Sequence, residues 1–289
     1  MKTIATLASF LTLALAVVAQ ELPKPSPAAC VTQRVGLTDI TIDYSRPGVK
    51  NREIWGKLVP YDEMWRTGAN KATSITLTGT AIINDQMLEA GSYSLFTIPQ
   101  ESGSWEVILN RNTELWGTGN YSEDEDAARF DAEVRELDEM TERLEFRFID
   151  VDMNTAELVL EWAGKQVVMR IESDPMEQVV KNIEKALAES KEGEQWKVYR
   201  TSASFAKDAN LTAKGIEWIE KSIEMHENWY SHWIYADLLA QKKDYDGAIK
   251  QAEKANKLGE KEYAEKEKEF IYGDDLMEEV SNWKNKKNK

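Results

Sequence analysis

The hydrophobic rhythm of this chain changes once, at Ser173-Asp174-Pro175, and that change limits what it can fold into. Before it, apolar and polar residues alternate: Ile40, Ile42 and Tyr44 share one side, with Thr41 and Asp43 on the other. The same alternation runs through Ile75 and Leu77, Ala81 to Ile83, Gln86 to Leu88, Tyr93 to Ile98 and Trp105 to Leu109. It returns in Leu144, Phe146 and Phe148, in Leu158, Leu160 and Trp162, and in Val167, Met169 and Ile171. A repeat of two puts every second side chain on one face of a strand. Asn84-Asp85 and Ala163-Gly164 are two-residue hairpin turns, and Pro99 to Gly103 is a longer one. Short alternating strands with regular turns predict an antiparallel sandwich or barrel, and a β-sandwich over residues 31–172 is the expectation.

After the switch the spacing is helical. Asp174 precedes Pro175 as a helix start, and Met176, Val179, Val180, Ile183 and Leu187 then recur at three and four positions. The fold class expected is therefore α+β multidomain, with a helical domain over residues 173–289. That domain repeats itself. At an offset of 33, Ala203 aligns with Ala236, Phe205 with Leu238, Ile216 with Ile249 and Met225 with Leu258. Two helices per unit at a period of about 34 is the tetratricopeptide pattern. Glu260 to Ile271 and Asp274 to Trp283 predict a closing pair of helices.

Arginine usage supports the same boundary. Residues 1–172 hold 16 Lys and Arg against 27 Asp and Glu, and residues 173–289 hold 20 against 24. Ten of the eleven arginines lie in the first part, while the second uses lysine almost alone. A net charge of −15 opposes nucleic acid as a partner, since phosphate backbones need a basic surface. Lys2, the apolar run Ile4 to Val18 and the small-residue site Val17-Val18-Ala19 predict a cleaved secretory signal over residues 1–19. Residues 20–30 are a Pro-rich extended lead-in, and no later segment is apolar enough to cross a bilayer. Cys30, the single cysteine, excludes an internal disulfide and a Cys-rich metal site. It stands well past the apolar run that a lipoprotein cysteine would adjoin, which argues against a lipid anchor. The expectation is a buried thiol on a first strand.

The segment from Tyr44 to Thr73 is unlike an ordinary connector. It carries Arg46, Arg52 and Arg66, together with Trp55, Trp65 and several turn formers. Long structured loops tend to be functional. Arg66 offers a planar fork suited to a carboxylate or phosphate, and Arg46 and Arg52 are placed to join it. With Trp65 and the turn residue Asn70 they form a candidate site for a small anionic ligand. The competing expectation is structural: these arginines bind loop carbonyls or nearby acids such as Asp43, Asp62 and Glu63. Trp65 and Trp116 are expected as hydrophobic plugs. The acidic run Glu123 to Asp126 lacks a calcium-loop pattern and reads as a solvated loop.

The segment DYSRPGVKNREIWGKLVPYDEMWRTGANKAT, followed by LEAGSYSLFTIP and later by LWGTG, resembles the bacterial family called domain of unknown function 2911. The resemblance runs from about Val31 to about Ile171, so it covers the predicted β-domain. It implies an exported, β-rich domain, often accompanied by helical repeats, and supplies no reaction. Cys30 stands where a small polar residue is expected.

Other chemistries are narrowed by what the chain lacks. His226 and His232 are the only histidines, six apart in the helical part, so they share no helix face for a metal. A Ser-His-Asp triad confined to the β-domain is impossible, and no cofactor or metal is expected. A carboxylate-using hydrolase acting on a glycan needs only two facing acids and stays open. The four tryptophans Trp196, Trp218, Trp229 and Trp233 are expected between helices. The reading that results is a non-enzymatic binding or adaptor protein of the periplasm or cell surface. Its helical repeats hold a protein partner. The alternatives are that hydrolase and a purely structural envelope protein.

Overall fold

The computed structural model describes residues 22–287, so the expected signal at residues 1–19 lies outside them. The chain forms two compact units. The first takes residues up to Arg34, Asp39–Asp150 and Ala156–Ile171; the second takes Val35–Thr38, Val151–Thr155 and Glu172 onward.

Among the described residues eleven strands supply most of the first unit: β1 (Ala28–Val35), β2 (Thr38–Ser45), β3 (Thr73–Leu77), β4 (Ala81–Ile83), β5 (Gln86–Leu88), β6 (Gly91–Ile98), β7 (Trp105–Asn110), β8 (Asp126–Glu136), β9 (Glu145–Ile149), β10 (Thr155–Trp162) and β11 (Lys165–Glu172). Their order is β1-β2-β3-β6-β7-β8-β11-β10-β9, with β4 paired to β11 and β5. The expected antiparallel strands are present, and they run on as one continuous sheet. β8 is the reason. Its residues Asp126–Ala132 pair with β7, and Glu133–Glu136 pair with β11. The sheet nearly closes like a barrel. Leu144 N–H donates to Pro47 O at 3.0 Å, Val49 N–H donates to Glu142 O at 2.8 Å, and the Tyr44 ring meets Phe146 edge-on at 5.0 Å. Closure covers backbone groups that an open edge would leave unpaired.

Both predicted hairpin turns carry the backbone they need. Asn84 and Asp85 have φ of 42° and 65°, and Ala163 and Gly164 have 48° and 79°, left-handed at both central positions as tight hairpins require. Three expectations fail in this unit. Cys30 is exposed rather than buried, with its thiol raised by partial burial and by the neighbouring Asp43. Trp116 is 69% exposed, with Lys24 over its ring, so it plugs nothing. The acidic run is no plain loop: Glu123–Glu125 make one 3-10 turn, and Asp126 opens β8.

Among the described residues six helices follow: α1 (Met176–Glu189), α2 (Gln195–Asp208), α3 (Thr212–Met225), α4 (Trp229–Gln241), α5 (Tyr245–Ala264) and α6 (Gly273–Lys287). Asp174 acts at the start of α1, where its carboxylate accepts the Met176 N–H at 3.0 Å. α3 and α5 begin 33 positions apart, and Gly215, Ile219 and Ser222 of α3 are buried at the positions of Ala248, Ala252 and Ala255 of α5. α4 serves two interiors. Ile234 and Leu238 join Ala203, Ala206, Trp218 and Ile219, while Ala236 and Leu239 join Ala252, Leu276, Val280 and Trp283. The expected helix over 260–271 does not form. α5 runs on through Ala264, and the chain then turns so that the Phe270 ring lies on Gly259, where a Cβ would come within 2.3 Å of it.

Candidate functional site

The Tyr44–Thr73 segment buries Trp65 and half-buries Trp55 in one cluster of rings. Trp55 meets Trp105 at 4.8 Å, Trp162 at 5.7 Å and Trp65 at 5.8 Å, and Trp65 stacks on Trp162 at 5.8 Å. The indole N–H of Trp55 donates to Ala163 O, that of Trp65 to Gly68 O and that of Trp105 to Gln100 O. Trp65 is thus a wall of the interior.

The polar members of the predicted site have separate surroundings. Arg46 donates to Leu144 O at 2.9 Å and pairs with Glu145 at 2.7 Å, not with Asp43, Asp62 or Glu63. Arg52 donates to the carbonyls of Gly48 and Val49, holding its own loop. Asn70, at φ 62°, donates to Ser26 O and Ser45 Oγ. Arg66 differs. Its Nε is buried with no hydrogen-bond partner, and its side chain makes no ion pair or ring contact among the described residues. No other of the eleven arginines is in that position. The Trp65–Thr97 bridge puts Met64 and Arg66 on the sheet face opposite Trp65, and Met64 packs there against Phe96, Ile108 and Leu115. Next in sequence, Thr67 is buried at φ 53°, an uncommon backbone for a β-branched residue. It is held there by Thr73 Oγ1, which donates to its carbonyl at 2.6 Å.

The helical unit contains a groove of about 650 Å3 whose walls come from α2, α4 and α6. Lys207 and Asp208 stand on the first, Asp237 and Gln241 on the second, and Glu279, Asn282 and Lys286 on the third. Lys207 Nζ donates to Asp237 at 3.3 Å and lies 3.7 Å from Asp208. Burial raises Asp237 above the ordinary aspartate value despite that ammonium. Burial works to lower Lys207, yet the charge of Asp237 holds it above the usual lysine range. Glu279 has no ion-pair partner among the described residues. Its carboxylate accepts the Trp233 indole N–H at 3.0 Å, and burial, then the charge of Asp237, pushes it up to about 7. A carboxyl group displaced this far in a cleft is the kind of group that functional sites contain.

Sequence reasoning did not find Lys207, Asp237 or Glu279, because a polar residue on a helix reads as a solvated face until the neighbouring helix is known. His232 is buried between Gln251 (2.6 Å) and Glu227 (3.3 Å), and among the described residues no group of three or more His, Cys, Asp or Glu is placed to hold a metal. No helix of those residues is long and apolar enough to cross a membrane.

Comparison with curated proteins and with solved structures finds no match. Comparison with protein families matches residues 26–171, which begins a little before the expected Val31 and takes in β1 to β10 and nearly all of β11. The match spans the nearly closed sheet, its four clustered tryptophans and the Arg66 segment, and on it the chain belongs to the family described as Protein of unknown function (DUF2911).

Proposed function

We propose that this is an exported, non-enzymatic binding or adaptor protein of the periplasm or cell surface. Its helices hold a protein partner, and Arg66 of the β unit holds a small anionic group. The groove of α2, α4 and α6 carries the partner reading. It sets Asp208, Asp237 and Glu279 against Lys207 and Lys286, so an extended segment bearing a lysine or arginine complements its surplus charge. The tetratricopeptide-like reading of the helices is supported by the equal spacing of α3 and α5 and by the small residues at equivalent buried positions. Arrays of that kind present a concave face to peptides. Arg66 is supported by its having no hydrogen-bond or ion-pair partner among the described residues.

The test uses the full chain and an Asn282→Trp variant that fills the groove from an exposed position. A protein recovered from envelope extract by the parent chain and lost from the variant, at equal thermal stability, is the expected result. Recovery by both, or by neither, removes the groove as the docking site. For Arg66, acetate and inorganic phosphate are titrated against the parent chain and Arg66→Ala. Loss of binding at an unchanged melting temperature is expected, and a fall of several degrees with no binding defect makes Arg66 structural. The hydrolase is the second reading, favoured by Glu279 beside Asp237 in one cleft. It requires turnover of an envelope glycan that Glu279→Gln abolishes.

A further inference from the structure

A second hollow in the helical unit shares no residue with that groove. It measures about 330 Å3 and lies where the start of α2, the α3–α4 turn and the late part of α5 meet. This is near the lower end of the size range of small-molecule sites. Its walls are flat rings. Trp196 stacks on His226 at 4.3 Å. Trp229 is fixed from behind by Phe270 at 5.0 Å and by Tyr272, stacked at 5.2 Å. Tyr230, 39% exposed, stands at 5.4 Å from Trp229.

The charges around this hollow are unequally matched. Glu227 bonds Lys254 and His232, and Glu262 bonds Lys266 at 2.6 Å, so each carboxylate has a cation of its own. Arg200 has no acid and no hydrogen-bond partner among the described residues. Its guanidinium lies instead over two ring faces, 5.0 Å from the Trp196 centroid and 5.5 Å from that of Tyr230. A guanidinium carries five N–H donors, all in its own plane. Contact with ring faces stabilises the charge and uses none of those donors. Arg200 is also the single arginine of the lysine-rich half, where a point charge would have served ordinary solvation.

We propose that this hollow is a binding site for a small organic anion, a carboxylate carried on a flat apolar body. Arg200 receives the carboxylate on its N–H edge, and the body lies against the rings of Trp196, Trp229 and Tyr230. Fixed rings cost little ordering on binding, and the donors of Arg200 give direction. The site does not depend on the groove of α2, α4 and α6.

The experiment titrates the full chain with 1-naphthoate, with the neutral 1-naphthalenemethanol and with inorganic phosphate, followed by calorimetry and tryptophan fluorescence. Naphthoate should saturate one site, and the alcohol should bind at least ten-fold more weakly. Arg200→Gln should lose ten-fold or more for naphthoate while its affinity for the alcohol is unchanged. Arg200→Lys, which keeps the charge and loses the planar fork, should also lose most of the affinity. Tyr230→Leu, at an exposed position, provides a second route should the arginine variants fold poorly, with an expected three- to ten-fold loss. Equal binding of acid and alcohol, naphthoate binding indifferent to Arg200 and Tyr230, or binding of phosphate but not naphthoate would each overturn the assignment.

Discussion

Both units gather aromatic rings, and they do different things with them. In the β unit Trp55, Trp65, Trp105 and Trp162 meet face and edge inside the sheet, and three of the four indole N–H groups end on backbone carbonyls. In the helical unit Trp196, Trp229 and Tyr230 border an open hollow, and a cation lies across two of them. The arginines divide in parallel. Arg46, Arg52, Arg129 and Arg147 bind carbonyls or carboxylates of their own unit, whereas Arg200, among the described residues, binds only ring faces. The lesson is that a cluster of tryptophan and arginine signals function only when its polar ends are left without internal partners. By that criterion most of the Tyr44–Thr73 segment is architecture, and Arg66 is its exception.

The sharpest way to break this comparison is Trp105→Ala. A fully buried ring packed edge-on against Trp55 should cost about 3–5 kcal/mol, read by denaturant unfolding of the β unit. Hydrogen exchange in α3 to α5 should be unaffected. An equal loss of protection there would mean that the two interiors are not separate.

A smaller effect is expected from Gly259→Ala. The added methyl meets the Phe270 ring, which in turn fixes Trp229, so overpacking of about 1–3 kcal/mol should appear in the helical unit alone. The near-ultraviolet dichroism of the rings should change with it. An unchanged spectrum would show that the ring wall is not held from behind.

The smallest effect is a pH dependence. Glu279 is raised in the folded chain from 4.5 to about 7, so between those values the folded state binds more protons than the unfolded one. Its contribution therefore favours folding at low pH and is lost as pH rises through about 7. Helical-unit stability in the parent chain should fall relative to Glu279→Gln across that window. Parallel pH profiles for the two chains would place Glu279 in ordinary solvent.

Much of the fold was legible because period two and helical period are local properties. The Asn84-Asp85 and Ala163-Gly164 turns, the strands beside them and the helix start at Asp174 all follow from neighbouring residues. β8 is a strand that the sequence reading does not contain: Ala128, Phe130 and Ala132 are buried in alternation, but the acidic run Glu123 to Asp126 before them reads as a solvated loop. Sheet closure was not legible, because it depends on Pro47 and Val49 reaching Leu144 and Glu142, nearly a hundred positions away. The candidate site was legible as a segment and not as a set. Which arginine keeps a free fork depends on carbonyls and acids supplied from elsewhere. Arg200 did leave a trace, as the one arginine in a lysine-rich half, yet composition alone tied that shift only to a boundary.

β8 belongs to both halves of the sheet, pairing with β7 through its first residues and with β11 through its last. Neither half therefore has a private seam along which to peel away. Loosening that one strand exposes ladder partners on either side at once, so the eleven strands should melt as a single block, with protection against exchange lost along β7 and β11 together.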